Sequence, residues 1–189
     1  RSNAYSILEK AWNYGVRSFD TAPGYRSEKL IGDFVKTNGI QNEIQILTKV
    51  SKIKTANVEN EITLSIEKSV ENLNCPISVL FLHDPDDVDL IAIHEKYFIK
   101  LIKNFNIAAV GASLYEKKSL EVLRNLNLPL GFQFPFNFLD RSFQNINSDF
   151  GKRYARSIFL QGILSSIELP NRTISKELKN LHKTYHGYV

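Results

Sequence analysis

Methionine is absent from all 189 residues, cysteine and tryptophan occur once each, and neither sign of charge dominates. With Cys75 as the single thiol, an intramolecular disulfide is excluded, and a reducing cytoplasm is the expected compartment. No apolar run approaches the ~20 residues of a membrane span, and no secretory leader pattern is visible. A formal charge of +4, its lysines dispersed among acids, lacks the clustered basic footprint of a nucleic-acid surface. The start at Arg1, in mid-pattern, leads to the expectation of a longer polypeptide. The lack of any methionine leads to a second: methionines carried as a non-standard residue are missing from the sequence, so that some spacings are one residue short.

What is present suits one soluble domain with a real core, since 43% of residues are hydrophobic and 23% charged. Ala4, Leu8, Ala11 and Trp12 recur at helical spacing up to Gly15, placed as a helix-ending glycine. Strands are expected over 16–19, 44–50, 77–82, 107–110, 132–137 and 156–160. Helices are expected over 28–37, 62–73, 94–103, 118–126 and 174–182. Ser27 and Asn57 are candidate caps for the helices they precede. The run 77–82 is apolar on both faces, as a parallel strand covered on each side would be.

Polar residues punctuate the strand ends at a regular step. Asp20, Lys49, His83 and Ser113 follow one another at 29, 34 and 30 residues. A period near 30 is that of repeated strand–helix units, hence parallel strands with helical crossovers. No Gly-x-Gly-x-x-Gly follows the first strand, which weakens an open nucleotide-binding sheet. Chemistry drawn from many successive strand ends favours an α/β (β/α)8 TIM barrel instead.

The stretch Phe19-Asp20-Thr21-Ala22 with Tyr25 and Ser27-Glu28 through Gly32, then Leu47-Thr48-Lys49, then Leu82-His83-Asp84-Pro85, resembles the aldo-keto reductases. Gly111-Ala112-Ser113 and Gln133-Phe134-Pro135-Phe136-Asn137 resemble that family's later strand ends. The resemblance implies one barrel domain over 1–189, covering about strands two to seven and incomplete at both ends. It further implies a catalytic tetrad of Asp20, Tyr25, Lys49 and His83. Ser113 and Gln133 would bind the nicotinamide carboxamide of NADPH, with NADH also open. A small-molecule aldehyde or ketone would be reduced, Tyr25 acting as general acid. The alternative is a nicotinamide-binding sensor or accessory subunit of the same fold.

Physical chemistry is consistent with these roles. The alkoxide left by hydride transfer must be protonated, and a free phenol titrates near 10. A neighbouring Lys49 ammonium would lower that value, Asp20 would keep Lys49 charged, and His83 would polarise the carbonyl. Two departures stand out. Leu114 occupies a position where the family often has Asn, and only Arg26 separates Tyr25 from Ser27, where the family has Gly and one more residue. The residue expected to stack on the nicotinamide falls near Ile158-Phe159, without a definite position.

Other polar clusters read more plainly. Asp84, Asp86, Asp87 and Asp89 describe a solvated loop before a helix, without a second histidine at metal-ligand spacing. Cys75, before Pro76, reads as a small buried residue. Phe132, Phe134, Phe136 and Phe138 are expected to split into one pair toward the barrel and one toward the helices.

Overall fold

The computed structural model describes residues 3–146, 151–163, 165, 169 and 174–187. Strands β1 (Ser18–Asp20), β2 (Gln45–Val50), β3 (Val79–Leu82), β4 (Ala109–Ser113), β5 (Leu130–Pro135) and β6 (Lys152–Arg156) form one sheet. They lie side by side in chain order, every neighbouring pair parallel. Helices α1 (Asn3–Asn13), α2 (Glu28–Asn38), α3 (Val58–Leu73), α4 (Asp89–Ile93), α5 (Glu95–Phe105) and α6 (Lys176–His186) complete the regular elements.

The sheet is strongly curled. Four strand spacings of ~4.8 Å would hold β1 and β5 about 19 Å apart in a flat sheet. Instead Gln133 of β5 hydrogen-bonds Asp20 of β1 at 2.8 Å. Phe81 of β3 and Tyr154 of β6 likewise meet with ring centroids 5.6 Å apart. The six strands are thus an arc of a barrel wall, with a convex face toward the helices and a concave face toward a lumen.

Alternation along each strand assigns the faces. Ile46, Leu80, Val110 and Phe132 point outward into the main core, against Ile62 and Ile66 of α3 and Phe98 and Leu101 of α5. Leu47, Val79, Phe81 and Ala109 point inward and pack with Tyr154. Gly32 lets α2 and α3 touch: a Cβ there would sit 2.0 Å from the Asn72 carbonyl oxygen. The Asn57 side chain caps α3 by accepting from the Asn60 N–H at 3.4 Å.

Four local expectations are corrected. The sixth strand is Lys152–Arg156, not 156–160. Its polar sequence hides it, whereas the apolar Ile158 and Phe159 lie beyond it, 49% and 59% exposed. The region 118–126 contains the 3-10 helix Lys117–Leu123 rather than an α-helix. Leu120, Leu123 and Leu126 recur every third residue toward the core, the period of that tighter helix. The four phenylalanines share one parity, so they cannot split between faces. Phe132 and Phe134 both enter the outer core, while Phe138 is exposed beyond the end of β5. Ser27 precedes α2 without capping it, because its hydroxyl bonds that of Thr21 at 2.8 Å.

Among the described residues no helix is long and apolar enough to cross a membrane.

Candidate active site

The carboxyl ends of the strands deliver one inward side chain after another. Asp20 closes β1, Lys49 is the penultimate residue of β2, and His83 follows β3 directly. Ser113 closes β4, Gln133 lies within β5, and Arg156 closes β6. Tyr25 comes from the loop after β1, at the end of the 3-10 turn Pro23–Tyr25. That loop is tied down by Glu28, whose buried carboxylate accepts from the Thr48 hydroxyl at 2.8 Å and from Asn72 Nδ2 at 3.4 Å.

Together Asp20, Tyr25, His83, Ser113 and Gln133 line a cleft of about 350 Å³, the size of a small-ligand site. Lys49 lies beside them, its side chain only 1% exposed. Its ammonium donates to Asp20 Oδ1 and Oδ2 at 2.7 and 2.8 Å and to the Thr21 carbonyl at 2.9 Å. Seen from the nitrogen, the two Asp20 oxygens lie too close together to take an N–H each, so they share one. Burial pulls the Lys49 amine below its usual value, and the Asp20 bond and charge oppose that.

No hydrogen bond joins Tyr25 to Lys49, whose contacts are with Asp20 and Thr21. The Lys49 nitrogen sits 5.2 Å from the Tyr25 ring centroid. The phenol is pushed above 10, first by burial and then by the Asp20 carboxylate, while the cation opposing this is Arg156. His83 stands edge-on to Tyr25, with ring centroids 5.9 Å apart. Burial, then the charges of Lys49 and Arg156, hold its imidazole below the usual 6.5, hence neutral at pH 7.

Gln133 divides its amide between two environments. Its Nε2 donates to Asp20 Oδ1 at 2.8 Å, while its Oε1 is buried without a partner. Ser113 is 2% exposed beside it. Leu114 is turned fully into the outer core, so it adds no contact to the cleft. Neither Ile158 nor Phe159 lines the cleft either; the end of β6 contributes Arg156 and Ser157 instead, joined by Tyr115 from the loop after β4. The sequence reading missed these three. The available signal was the two-residue step: Gln133 pairs with Tyr154, so the next inward residue of β6 is Arg156.

The loop aspartates are engaged with their neighbours. Asp84 accepts from the Asp86 N–H at 3.0 Å and pairs with Lys52, while Asp87 accepts from the Ile53 N–H at 2.9 Å. Cys75 is buried, and burial raises its thiol to about 11.

The sequence profile of the aldo/keto reductase family matches residues 1–180. The chain belongs to that family. It is 32% identical to a D-threo-aldose 1-dehydrogenase of Pseudomonas sp over 46% of this chain and 35% of that protein. It is 31% identical to a glyoxal reductase of Bacillus subtilis (strain 168) over 65% of this chain and 44% of that protein. The chain thus spans less than half the length of these two curated relatives. Among solved structures, an aldo-keto reductase from Bacillus halodurans in its holo form superposes with a TM-score of 0.74 at 23% identity. That match covers 95% of this chain and 67% of the other, and it supports the barrel assignment.

Proposed function

We propose that the cleft reduces a small aldehyde or ketone to an alcohol, using a nicotinamide cofactor and Tyr25 as the proton donor. The observation that carries this reading is convergence: Asp20, Tyr25 and His83 share one cleft, with Lys49 locked to Asp20 beneath them. The nicotinamide, when bound, supplies the hydride, which no side chain can provide.

The residues present suit such a group. A primary carboxamide offers N–H donors and a carbonyl acceptor. Gln133 Oε1 is a buried acceptor awaiting a donor, and Ser113 beside it has a hydroxyl to give. NADPH is assigned ahead of NADH on the family resemblance alone.

In this reading Tyr25, held neutral by its raised pKa, donates to the substrate oxygen. As negative charge develops there, the phenolic proton passes to it, because an alkoxide is a far stronger base than a phenolate. Neutral His83 donates a second hydrogen bond to the same oxygen. Lys49 keeps Asp20 fixed, Asp20 holds the Gln133 amide, and the floor of the site stays rigid.

Oxidation of NADPH by a panel of small neutral aldehydes tests the reading in the full-length protein. Tyr25→Phe is expected to lower kcat by about 10²–10⁴-fold while cofactor binding persists. A Tyr25→Phe variant as active as the parent removes the acid assignment. Cofactor binding without any carbonyl turnover favours the accessory-subunit reading instead.

A further inference from the structure

The loop that carries Tyr25 runs from Thr21 to Ser27, and its two ends meet through their side chains. The hydroxyls of Thr21 and Ser27 share one hydrogen bond at 2.8 Å. Thr21 is fully buried, its N–H donates to the Leu47 carbonyl at 2.8 Å, and its carbonyl accepts from Lys49 at 2.9 Å. One end of the loop is thereby fixed on β2. The other end leads into Glu28, which Thr48 holds on the same strand. Inside the loop the Tyr25 N–H donates to the Ala22 carbonyl and the Arg26 N–H to the Pro23 carbonyl. Those bonds shape the turn but do not join its ends.

Both residues forgo an ordinary local use to make this bond. Ser27 stands immediately before α2, where a serine oxygen commonly caps the first N–H groups, yet it makes no such bond. Thr21 places a hydroxyl where an apolar side chain of the same shape would be buried without cost, and a buried hydroxyl is costly unless bonded. Tyr25 meanwhile is 53% exposed, so packing does little to hold its ring, and the phenol goes where the loop backbone puts it. A general acid must lie within hydrogen-bond reach of the reacting oxygen, and a misplacement of about 1 Å can cost about 10²-fold in rate.

We propose that Thr21 and Ser27 are positioning residues for Tyr25, their shared hydrogen bond closing the loop so that the phenol faces the cleft beside His83. The proposal rests on the reductase reading for what Tyr25 does there, and on the hydroxyl pair alone for what holds it. Neither Thr21 nor Ser27 lines the cleft, so their effect passes through Tyr25.

The test uses the full-length protein with NADPH and a small aldehyde. Tyr25 is followed separately by NMR of isotope-labelled tyrosine at Cζ, its resonance assigned through Tyr25→Phe. Thr21→Val removes the hydroxyl but keeps the shape of the side chain and both backbone bonds. Thr21→Val and Ser27→Ala should each lower kcat by about tenfold or more at unchanged KM for NADPH. The double variant should be no slower than the slower single one, because both substitutions break the same bond. Thr21→Ser, which returns a hydroxyl, should recover most of the kcat lost in Thr21→Val. In the NMR titration Tyr25 should ionise above pH 10 in the parent and closer to 10 in both single variants, as its ring leaves its place. Parental kcat in both single variants overturns the proposal. So do losses that multiply in the double variant, a loss confined to KM for NADPH, or a Thr21→Ser variant as slow as Thr21→Val. An unchanged Tyr25 titration in both single variants overturns it whatever the turnover. If the parent reduces no carbonyl compound, the reductase reading fails by itself, and the NMR titration alone decides the loop. Should Thr21→Val fail to fold, Ser27→Ala with the same two readouts stands in.

Discussion

Two storeys of the same lumen differ by one step along each strand. In the lower storey Leu47, Val79, Phe81, Ala109 and Tyr154 pack against one another as an apolar plug. Two residues further on, Leu47 gives way to Lys49, Phe81 to His83 and Tyr154 to Arg156. A rise of roughly 6.6 Å thus separates an apolar layer from a charged cleft. The lower layer has no polar group to satisfy except the Tyr154 hydroxyl, whose titration burial pushes above 10. The upper one keeps three orphaned polar atoms. Shape comes from the plug, and chemistry comes from the rim it supports.

The largest expected effect breaks the lower storey. Phe81 is fully buried, and Phe81→Ala should cost about 3–5 kcal/mol, read as a lowered urea midpoint. Tyr25, 53% exposed in the upper storey, should behave oppositely: Tyr25→Phe keeps the parent midpoint within about 0.5 kcal/mol while losing turnover. Comparable stability losses in the two variants would mean that the rim, too, holds the fold together.

That division explains what could be read without coordinates. The βα period and the inward polar residue at each strand end are visible in one dimension, so the barrel class and the convergence of Asp20, Tyr25, Lys49 and His83 were legible. Three things were not. The sixth strand carries lysine, arginine and tyrosine where a hydrophobic run was sought, because its inner face meets the cleft. The phenol's direction of shift was inverted, because burial and the nearby Asp20 carboxylate raise it, and both depend on the folded arrangement. Arg156 was invisible because an isolated arginine carries no motif; only the register of β6 on β5 brings it to the cleft.

A medium effect sharpens the upper storey electrostatically. Tyr25 is raised above 10 by burial and then by Asp20, so reduction should hold its rate through pH 9 and decline only above pH 10. The expected loss there is about tenfold per unit, as the donor ionises. Arg156 lowers the same phenol, so Arg156→Gln should move that limb further toward alkali. Stability follows the same sign. A folded-state phenol with a raised pKa contributes stability below pH 10 and loses it above, where the unfolded chain ionises first. A limb falling below pH 9 would mean that a cation, not burial, governs Tyr25.

The smallest effect concerns the turn that carries Tyr25. Arg26 sits directly after Tyr25 with φ 57° and ψ 20°, the left-handed region that glycine enters freely. Its N–H donates to the Pro23 carbonyl at 3.2 Å, closing the turn that presents the phenol, and its side chain is exposed. Replacing it removes a backbone strain of about 1–2 kcal/mol, offset by the greater freedom glycine gives the unfolded chain. The net expectation for Arg26→Gly is a gain of about 0.5–1 kcal/mol, seen as a raised denaturant midpoint at unchanged slope. The same turn carries Tyr25 into the cleft, so relief of strain should leave the phenol's alkaline limb where it was. A lost midpoint instead would show that the guanidinium, rather than the backbone, holds this turn.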